Sequence, residues 1–317
     1  MARRMSIVAV LVASGCGGQP IPAVTTSAKW QAETTPPVGG VSFVWANGPA
    51  DVYVYGGDGD FLRSKGDGAW RVAPGVPSNA GGRQMWASSS NDLYLVGEKA
   101  LVARSSGNDE WTLVPEVDLQ VDLDGIWGSS ATDIYAVGQQ GTVVHSAGVG
   151  SFVAQSVITP TDLLCVWGSS RDDVYAVGKQ GTILHSAGDG SWVPQGSSIS
   201  GTEVDLYAVW GSSKTDVWAA GVGTILHTDG KSAWEQRWTA SQLPDAVPDT
   251  TLRTIWGGGP SDVYFGGAFG LLHWDGATFS RVSTPAAALV SLYGTSATNI
   301  YAAGVDAMGA QLVIHYH

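Results

Sequence analysis

The chain has 317 residues, of which 44% are hydrophobic and only 14% charged, so it can build a sizeable globular core. Its 43 glycines and 14 tryptophans favour an all-β fold, because glycines are frequent in turns and aromatic side chains in sheets packed face to face. A formal net charge of −12 argues against nucleic acid and anionic lipid as main partners.

Residues 1–15 are predicted to be a secretory signal. Arg3 and Arg4 precede an apolar run, residues 7–13, that is too short to span a membrane. The following Ala-Ser-Gly-Cys segment, residues 13–16, resembles the lipobox of bacterial lipoproteins, in which the cysteine is acylated and becomes the new N-terminus. The resemblance implies lipidation at Cys16, and each buried methylene would contribute roughly 0.8 kcal/mol to anchoring.

We therefore expect export to a bacterial cell envelope, with contact to a membrane through the lipid anchor only. In a Gram-negative host the residue after Cys16, Gly17, permits the outer membrane. The alternative is ordinary cleavage nearby, which would leave Cys16 as a free thiol.

Residues 16–28 are predicted to be a flexible tether, since they contain two prolines and several hydroxyl residues. Residues 29–317 then form one domain. If Cys16 is lipidated, Cys165 is left without a disulfide partner, and its apolar surroundings predict a small buried side chain rather than a nucleophile.

One pattern occurs seven times between residues 29 and 317. Each unit has four short apolar runs bounded by Gly, Ser or Asp, and the first run carries an aromatic residue at intervals of 37 to 46 residues. These aromatic residues are Trp45, Trp86, Trp127, Trp167, Trp210, Trp256 and Tyr293. Periods near forty with four strands per unit predict the blades of a propeller, in which both faces of each sheet are buried.

The two ends of the chain predict how the ring closes. The seventh unit ends after its third strand, and residues 29–33, which contain Trp30, resemble the fourth-strand segment 191–195. An N-terminal strand that completes the last blade leaves no free edge. The predicted fold is therefore an all-β, seven-bladed β-propeller of four-stranded antiparallel blades.

The segments 181–192 and 223–230, which share the sequence Gly-Thr-Ile-Leu-His, carry a family resemblance. They resemble the BNR or Asp-box repeats of sialidase-like propellers and of the photosystem II stability factor. In those repeats a Ser/Thr-x-Asp-x-Gly-x-x-Trp hairpin joins the third and fourth strands. Here the turn is one residue shorter, and its aspartate occurs only as Asp67, Asp189, Asp229 or Asp275. The resemblance implies the propeller fold, whereas the Arg-Ile-Pro motif of sialidases does not occur in the sequence.

Two polar positions recur and favour structural roles. Five of the six histidines end third strands: His145, His185, His227, His273 and His315. Because equivalent positions lie in different blades, they cannot converge on one metal ion, and we predict hydrogen bonds to a nearby turn. An acidic or amide residue precedes each second strand, where we expect it to accept backbone N–H bonds: Asp51, Asp92, Asp133, Asp173, Asp216, Asp262 and Asn299.

Further acidic residues lie in the connections that lead into first strands. Asp122, Asp162 and Asp205 each stand five residues before the first-strand Trp, and Asp124 and Glu203 lie in the same connections. In a propeller these connections surround the mouth of the central channel, where neighbouring carboxylates would favour a bound cation such as Ca²⁺ or a basic partner surface. The alternative is that they are solvated loop charges. No other cofactor is predicted.

The longest connection, residues 235–251, contains Arg237 and Trp238. Both residue types are frequent in interface hot spots, so this loop is a candidate contact for a partner. The alternative, that Trp238 covers the outer edge of its blade, is equally consistent with the sequence.

The uniformity of the repeats leaves little room for an asymmetric catalytic constellation. We therefore expect a non-catalytic, monomeric, lipid-anchored scaffold that binds or assembles an envelope protein or glycan. The alternative is a glycoside-active hydrolase or lyase, for which the acidic mouth would supply two carboxylates across the scissile bond.

Overall fold

The computed structural model describes residues 25–26, 30–33, 39–67, 69–76, 81–108, 110–114, 119–148, 151–155, 159–197, 204–231, 233–243 and 246–317. Their strands form seven sheets, in each of which four strands follow one another in antiparallel order. The predicted seven-bladed β-propeller is confirmed. The predicted signal, Cys16 and Glu203 lie outside the described residues.

The first four blades have these strands, given from first to fourth. Blade 1 contains Val41–Gly48, Asp51–Gly56, Phe61–Ser64 and Trp70–Val72. Blade 2 contains Gly82–Ser89, Asp92–Gly97, Val102–Ser105 and Trp111–Leu113. Blade 3 contains Leu123–Ser130, Asp133–Gly138, Val143–Ser146 and Val153–Gln155. Blade 4 contains Leu163–Ser170, Asp173–Gly178, Ile183–Ser186 and Val193–Pro194.

The last three blades continue the series. Blade 5 contains Leu206–Ser213, Asp216–Gly221, Thr224–Thr228 and Glu235–Thr239. Blade 6 contains Leu252–Gly259, Asp262–Gly267, Gly270–Trp274 and Phe279–Ser283. Blade 7 contains Ala288–Ser296, Asn299–Val305 and Gln311–Tyr316, and its fourth strand is Trp30–Ala32.

The helical elements are single turns: Glu98–Ala100, Gln139–Gly141, Lys179–Gly181 and Ala240–Gln242. Within the described ranges no helix has the length and apolar character needed to cross a membrane.

The N-terminal strand closes the ring, as predicted. Trp30 pairs antiparallel with Tyr316 of blade 7, and its buried ring meets the edge of Tyr264 in blade 6 at 6.3 Å between centroids. Upstream, Thr25–Thr26 pairs in parallel with the fourth strand of blade 6. These two residues fall inside the predicted tether, so at this point the chain forms a strand where we expected a flexible segment.

Neighbouring blades interlock close to the axis through an aromatic ring and a glycine. A Cβ atom placed on Gly168 of blade 4 would lie 2.6 Å from Cη2 of Trp127 in blade 3, which is too close for any side chain. The same contact joins Trp86 to Gly128, Trp167 to Gly211, Trp210 to Gly257 and Trp256 to Gly294. At the two remaining junctions alanines, Ala46 and Ala87, pack with Tyr293 and Trp45.

The first strand of each blade lines the channel, so one of its edges has no neighbouring strand. Side chains of the adjacent blade form hydrogen bonds with backbone groups on that edge. The hydroxyl of Ser291 accepts the N–H of Val44 at 3.1 Å, which joins blade 7 to blade 1. Cys165 occupies the same position in blade 4, where its thiol donates to the carbonyl oxygen of Val209 at 3.8 Å. Burial raises the pKa of the Cys165 thiol, so it stays protonated and a poor nucleophile.

The recurring histidines bond to the turns that precede second strands, as predicted. In blade 3, Nε2 of His145 lies 2.7 Å from Oδ1 of Asp133. The prediction that these acidic residues accept backbone N–H bonds is wrong, because one oxygen of Asp133 meets the histidine and the other accepts the Ser129 hydroxyl. The equivalent pairs are His185–Asp173, His227–Asp216, His273–Asp262 and His315–Asn299, with Arg63–Asp51 and Arg104–Asp92 in the first two blades.

Candidate functional site

Every first strand begins with a β-bulge that leaves one residue out of register, always three residues before the first-strand aromatic residue. Such bulges re-aim side chains and are common beside functional sites. The seven bulged residues, which we call the mouth ring, are Ser42, Arg83, Asp124, Leu164, Tyr207, Arg253 and Val290. All seven line one cavity of about 910 Å³ at the start of the first strands, and below it a cavity of about 400 Å³ follows the channel to the ring of aromatic residues.

The residues of the mouth ring differ in chemistry from blade to blade: they are two arginines, one aspartate, one serine, one tyrosine and two aliphatic residues. The next residue along each first strand also varies, whereas the residue directly before the aromatic one is always apolar. A cavity of several hundred cubic ångströms with a few converging polar groups among apolar ones is typical of a binding site. The mouth ring is therefore the candidate functional site.

One side of the mouth, at blades 2 and 3, holds a compact ion-pair cluster. The guanidinium of Arg83 lies 2.7 Å from Asp122, 2.9 Å from Asp124 and 3.8 Å from Glu98. Burial raises the pKa of Asp124 to about 6; Arg83 opposes this rise, and the negative charges of Asp122 and Asp162 add to it. This side of the mouth therefore presents carboxylates around a neutralised cation.

The raised pKa gives a testable effect on stability. Since the folded state binds a proton at Asp124 more tightly than the unfolded chain does, this residue stabilises the fold less as pH rises from about 4 to about 6. We expect Asp124→Asn to increase the free energy of unfolding at pH 8 and to change it little near pH 4. Urea unfolding of both proteins at the two pH values measures the effect.

A matched control comes from an exposed carboxylate with the opposite shift. The hydrogen bond from Arg71 is the main cause that lowers the pKa of Asp67 to about 2, so Asp67→Asn is expected to reduce stability slightly at pH 8. An Asp124→Asn protein that is less stable than wild type at pH 8 would show that the Arg83 ion pair outweighs burial.

The predicted acidic residues lie in the connections at the mouth, but they hold neighbouring blades together. Asp122, Asp162 and Asp205 each accept a backbone N–H from the preceding blade, at 3.0–3.1 Å. The donors are Lys99, Gln140 and Gln180, whose φ angles of 54° to 56° lie in the left-handed region. That conformation costs roughly 1–2 kcal/mol per residue for side chains other than glycine, and the carboxylate of the next blade offsets part of the cost.

Two of these carboxylates also form ion pairs. Besides its N–H bond, Asp162 meets the ammonium of Lys179 at 2.6 Å, and Asp122 meets Arg83. No group of three His, Cys, Asp or Glu side chains is arranged to hold a metal ion anywhere in the part of the chain that the structure describes. Asp122, Asp162 and Asp205 thus form contacts between neighbouring blades.

The opposite side of the mouth is cationic and apolar. The guanidinium of Arg253 lies over the ring of Tyr207, 5.2 Å from its centroid, and no carboxylate among the described residues comes within 4.0 Å of it. Leu164 is half-buried, and Val290 is 37% exposed in the same cavity. An unpaired cation beside exposed aliphatic groups is uncommon in an acidic chain and suits an anionic, partly apolar ligand.

The expectation that Trp238 is an exposed partner contact is wrong. Its side chain is 1% exposed and stacks on Phe269 of blade 6, with ring centroids 5.8 Å apart. The cause is a bulge in the fourth strand of blade 5. It leaves Arg237 without a partner residue on the third strand and turns Trp238 toward the next blade. Arg237 stays exposed on the outer strand, 6.0 Å from the ring centroid of Trp274.

Of the mouth ring, sequence reasoning identified Asp124 alone. The six other members share no side-chain type that a comparison of the repeats would detect. Their signal is positional, because each stands three residues before the first-strand aromatic residue, where the side chain changes from blade to blade.

No family model and no curated protein matches the chain. Solved structures do resemble it: YCF48 bound to a D1 peptide is 16% identical, with a TM-score of 0.72 over 93% of this chain and 99% of that one. Virginiamycin B lyase from Staphylococcus aureus is 12% identical, with a TM-score of 0.75 over 91% of this chain and 99% of that one. The WD40 propeller domain of Doa1 is 14% identical, with a TM-score of 0.70 over 91% and 96%.

These likenesses support one conclusion. The chain is a β-propeller. At such low identity the fold is shared without any implied activity, and the neighbours include both enzymes and binding proteins.

Proposed function

We propose that this propeller is a non-catalytic, lipid-anchored scaffold of the bacterial cell envelope that binds a segment of a partner protein at the mouth ring. The observation that carries the proposal is that seven bulged residues of differing chemistry line one cavity of about 910 Å³. Anchoring through Cys16 and descent from BNR-type repeats belong to the same proposal.

The chemistry of the mouth favours a protein segment over a glycan. Sugar sites commonly offer an open aromatic face, but the single aromatic member of the mouth ring, Tyr207, is covered by Arg253. Exposed aliphatic groups beside a cation instead match the side chains of a peptide. YCF48, which was solved with a D1 peptide bound, shows that this fold can take a peptide.

An enzymatic role has less support from the contacts. Virginiamycin B lyase was also solved in a catalytically inactive form with a histidine replaced by alanine. Here the recurring histidines lie on the third strands and bond to the Asp or Asn at the start of the second strands, away from the mouth ring. The carboxylates proposed for glycoside chemistry, Asp122 and Asp162, are engaged by Arg83, Lys179 and backbone N–H groups.

The test compares one substitution at each end of the channel. Ser42→Trp places a large side chain in the mouth. Thr132→Trp changes an exposed turn residue that follows the first strand of blade 3. That strand has eight residues and is roughly 23 Å long, so Thr132 lies at the end of the channel opposite the mouth. Purified full-length protein, wild type and both variants, would capture partners from an envelope extract, with quantitative mass spectrometry of what is retained.

We expect one protein to be enriched by wild type and by Thr132→Trp and to be lost with Ser42→Trp, while thermal unfolding of the three proteins stays alike. Equal capture by both variants would contradict binding at the mouth. Binding of purified glycans, with no protein enriched, would favour the glycan scaffold instead.

A further inference from the structure

We propose that Arg253, Tyr207, Leu164 and Val290 form a subsite for an acidic side chain that is followed or preceded by an apolar one in the partner's segment. This inference rests on the proposed function and specifies the chemistry of the segment. It names one part of the mouth ring, the side formed by blades 4 to 7.

The first step concerns the charge of Arg253. Most other described arginines have a carboxylate oxygen within 4.0 Å, among them Arg63, Arg71, Arg83 and Arg104. Arg253 has none among the residues that the structure describes, although the chain carries a net charge of −12. Asp249 is the carboxylate whose pKa it influences, and the oxygen Oδ1 of Asp249 is bonded to the N–H of Thr251 at 2.9 Å. Within the described part of the chain, no carboxylate thus occupies the guanidinium, and we infer that it takes an outside anion.

The second step concerns its orientation. The guanidinium carbon of Arg253 lies over the Tyr207 ring, 5.2 Å from its centroid, and this cation–π contact restricts the side chain before any ligand arrives. The N–H donors of the planar guanidinium match the two oxygens of a carboxylate. Pre-organisation of this kind lowers the entropy cost of binding.

The third step concerns what lies beside the cation. Val290 is 37% exposed and Leu164 half-buried, and both line the same cavity as Arg253. Covering these aliphatic groups removes apolar surface from water, which favours a ligand with an apolar group next to its acidic one.

The fourth step concerns the direction in which the bound segment lies across the mouth. Asp124 and Glu98 border the same cavity at blades 2 and 3, where Arg83 already has three carboxylates around it. An acidic side chain is repelled on that side and attracted at Arg253, so the two sides fix which way the segment lies.

The test uses a random dodecapeptide library selected on the immobilised full-length protein. We expect enriched peptides to carry Asp or Glu next to an aliphatic or aromatic residue. Their binding should weaken at least tenfold with Arg253→Gln, since one charge-assisted pair is lost, and by an intermediate factor with Arg253→Lys, which keeps the charge but not the planar fork. Arg71→Gln removes an equal charge from an outer strand and should change affinity less than twofold.

Charge reversal separates recognition from a structural role. Selection on Arg253→Glu should enrich basic residues at the position where wild type enriches acidic ones. Peptides that are lost with Ser42→Trp but bind Arg253→Gln as tightly as wild type would overturn this inference and leave the proposed function standing. A library in which no peptide depends on the mouth would contradict both.

Discussion

Trp30→Ala is expected to lower the free energy of unfolding by about 3–5 kcal/mol, the range for removing a buried tryptophan. Trp30 is 5% exposed and packs with Tyr264 of blade 6 and Tyr316 of blade 7, so its loss opens a cavity at the junction where the ring closes. It also weakens the pairing that covers the outer edge of the seventh blade. Urea unfolding followed by tryptophan fluorescence and circular dichroism measures the change.

The same strand provides the control. Gln31 pairs with His315 but is exposed, so Gln31→Ala should change stability by about 0.5 kcal/mol or less. If Trp30→Ala were no more harmful than Gln31→Ala, the N-terminal strand would not be what closes the ring.

Gly257→Val is expected to destabilise the fold by about 3 kcal/mol through overpacking. A Cβ atom there would lie 2.6 Å from Cη2 of Trp210 and 2.8 Å from the backbone oxygen of Asp262, so neither neighbour can move away freely. The inner edges of blades 5 and 6 would then have to separate. Thermal and urea unfolding of the variant test this expectation.

Gly259, two residues further along the same strand, is the matched position. A Cβ atom on Gly259 meets nothing within 4 Å, and serines occupy the equivalent sites in other blades, such as Ser170. Gly259→Val should therefore be nearly neutral. Equal effects at the two glycines would mean that the contact with Trp210 does not hold the blades in register.

Much of the fold was predictable because burial on both faces of a blade leaves a strong repeat in the sequence. The first-strand aromatic residues, the missing fourth strand of blade 7 and its replacement by the segment around Trp30 are all local patterns. The histidine positions were predictable for the same reason. The partner of each histidine was not, since the bond to Asp133 and its equivalents depends on side-chain geometry across two strands.

The candidate site was less predictable, because a β-bulge cannot be recognised from the alternation of apolar and polar residues along a strand. The bulge in the first strand of blade 6 places Arg253 in the mouth. A second bulge, in the fourth strand of blade 5, turns Trp238 into the core. The acidic connections were located correctly from their spacing before the first-strand Trp. Their hydrogen bonds were not predicted, since Asp122 and Asp162 accept backbone N–H groups of a different blade.

The variant Asp124→Asn can be used in both the stability experiments and the binding experiments. A residue whose burial raises its pKa and which also lines the mouth is the kind of position at which stability and function compete. If Asp124→Asn gains stability and at the same time loses the captured partner, both accounts of the mouth gain support from one variant.

Site-specific photo-crosslinking in cells tests the central claim most directly. A photoreactive residue would replace Ser42 or Val290 at the mouth and, in separate proteins, Thr132 or Thr215 at the opposite ends of first strands. We expect one discrete adduct from both mouth positions and none from the two distant turns. Adducts that form only from the turns, or equally from both ends of the channel, would contradict a partner site at the mouth ring.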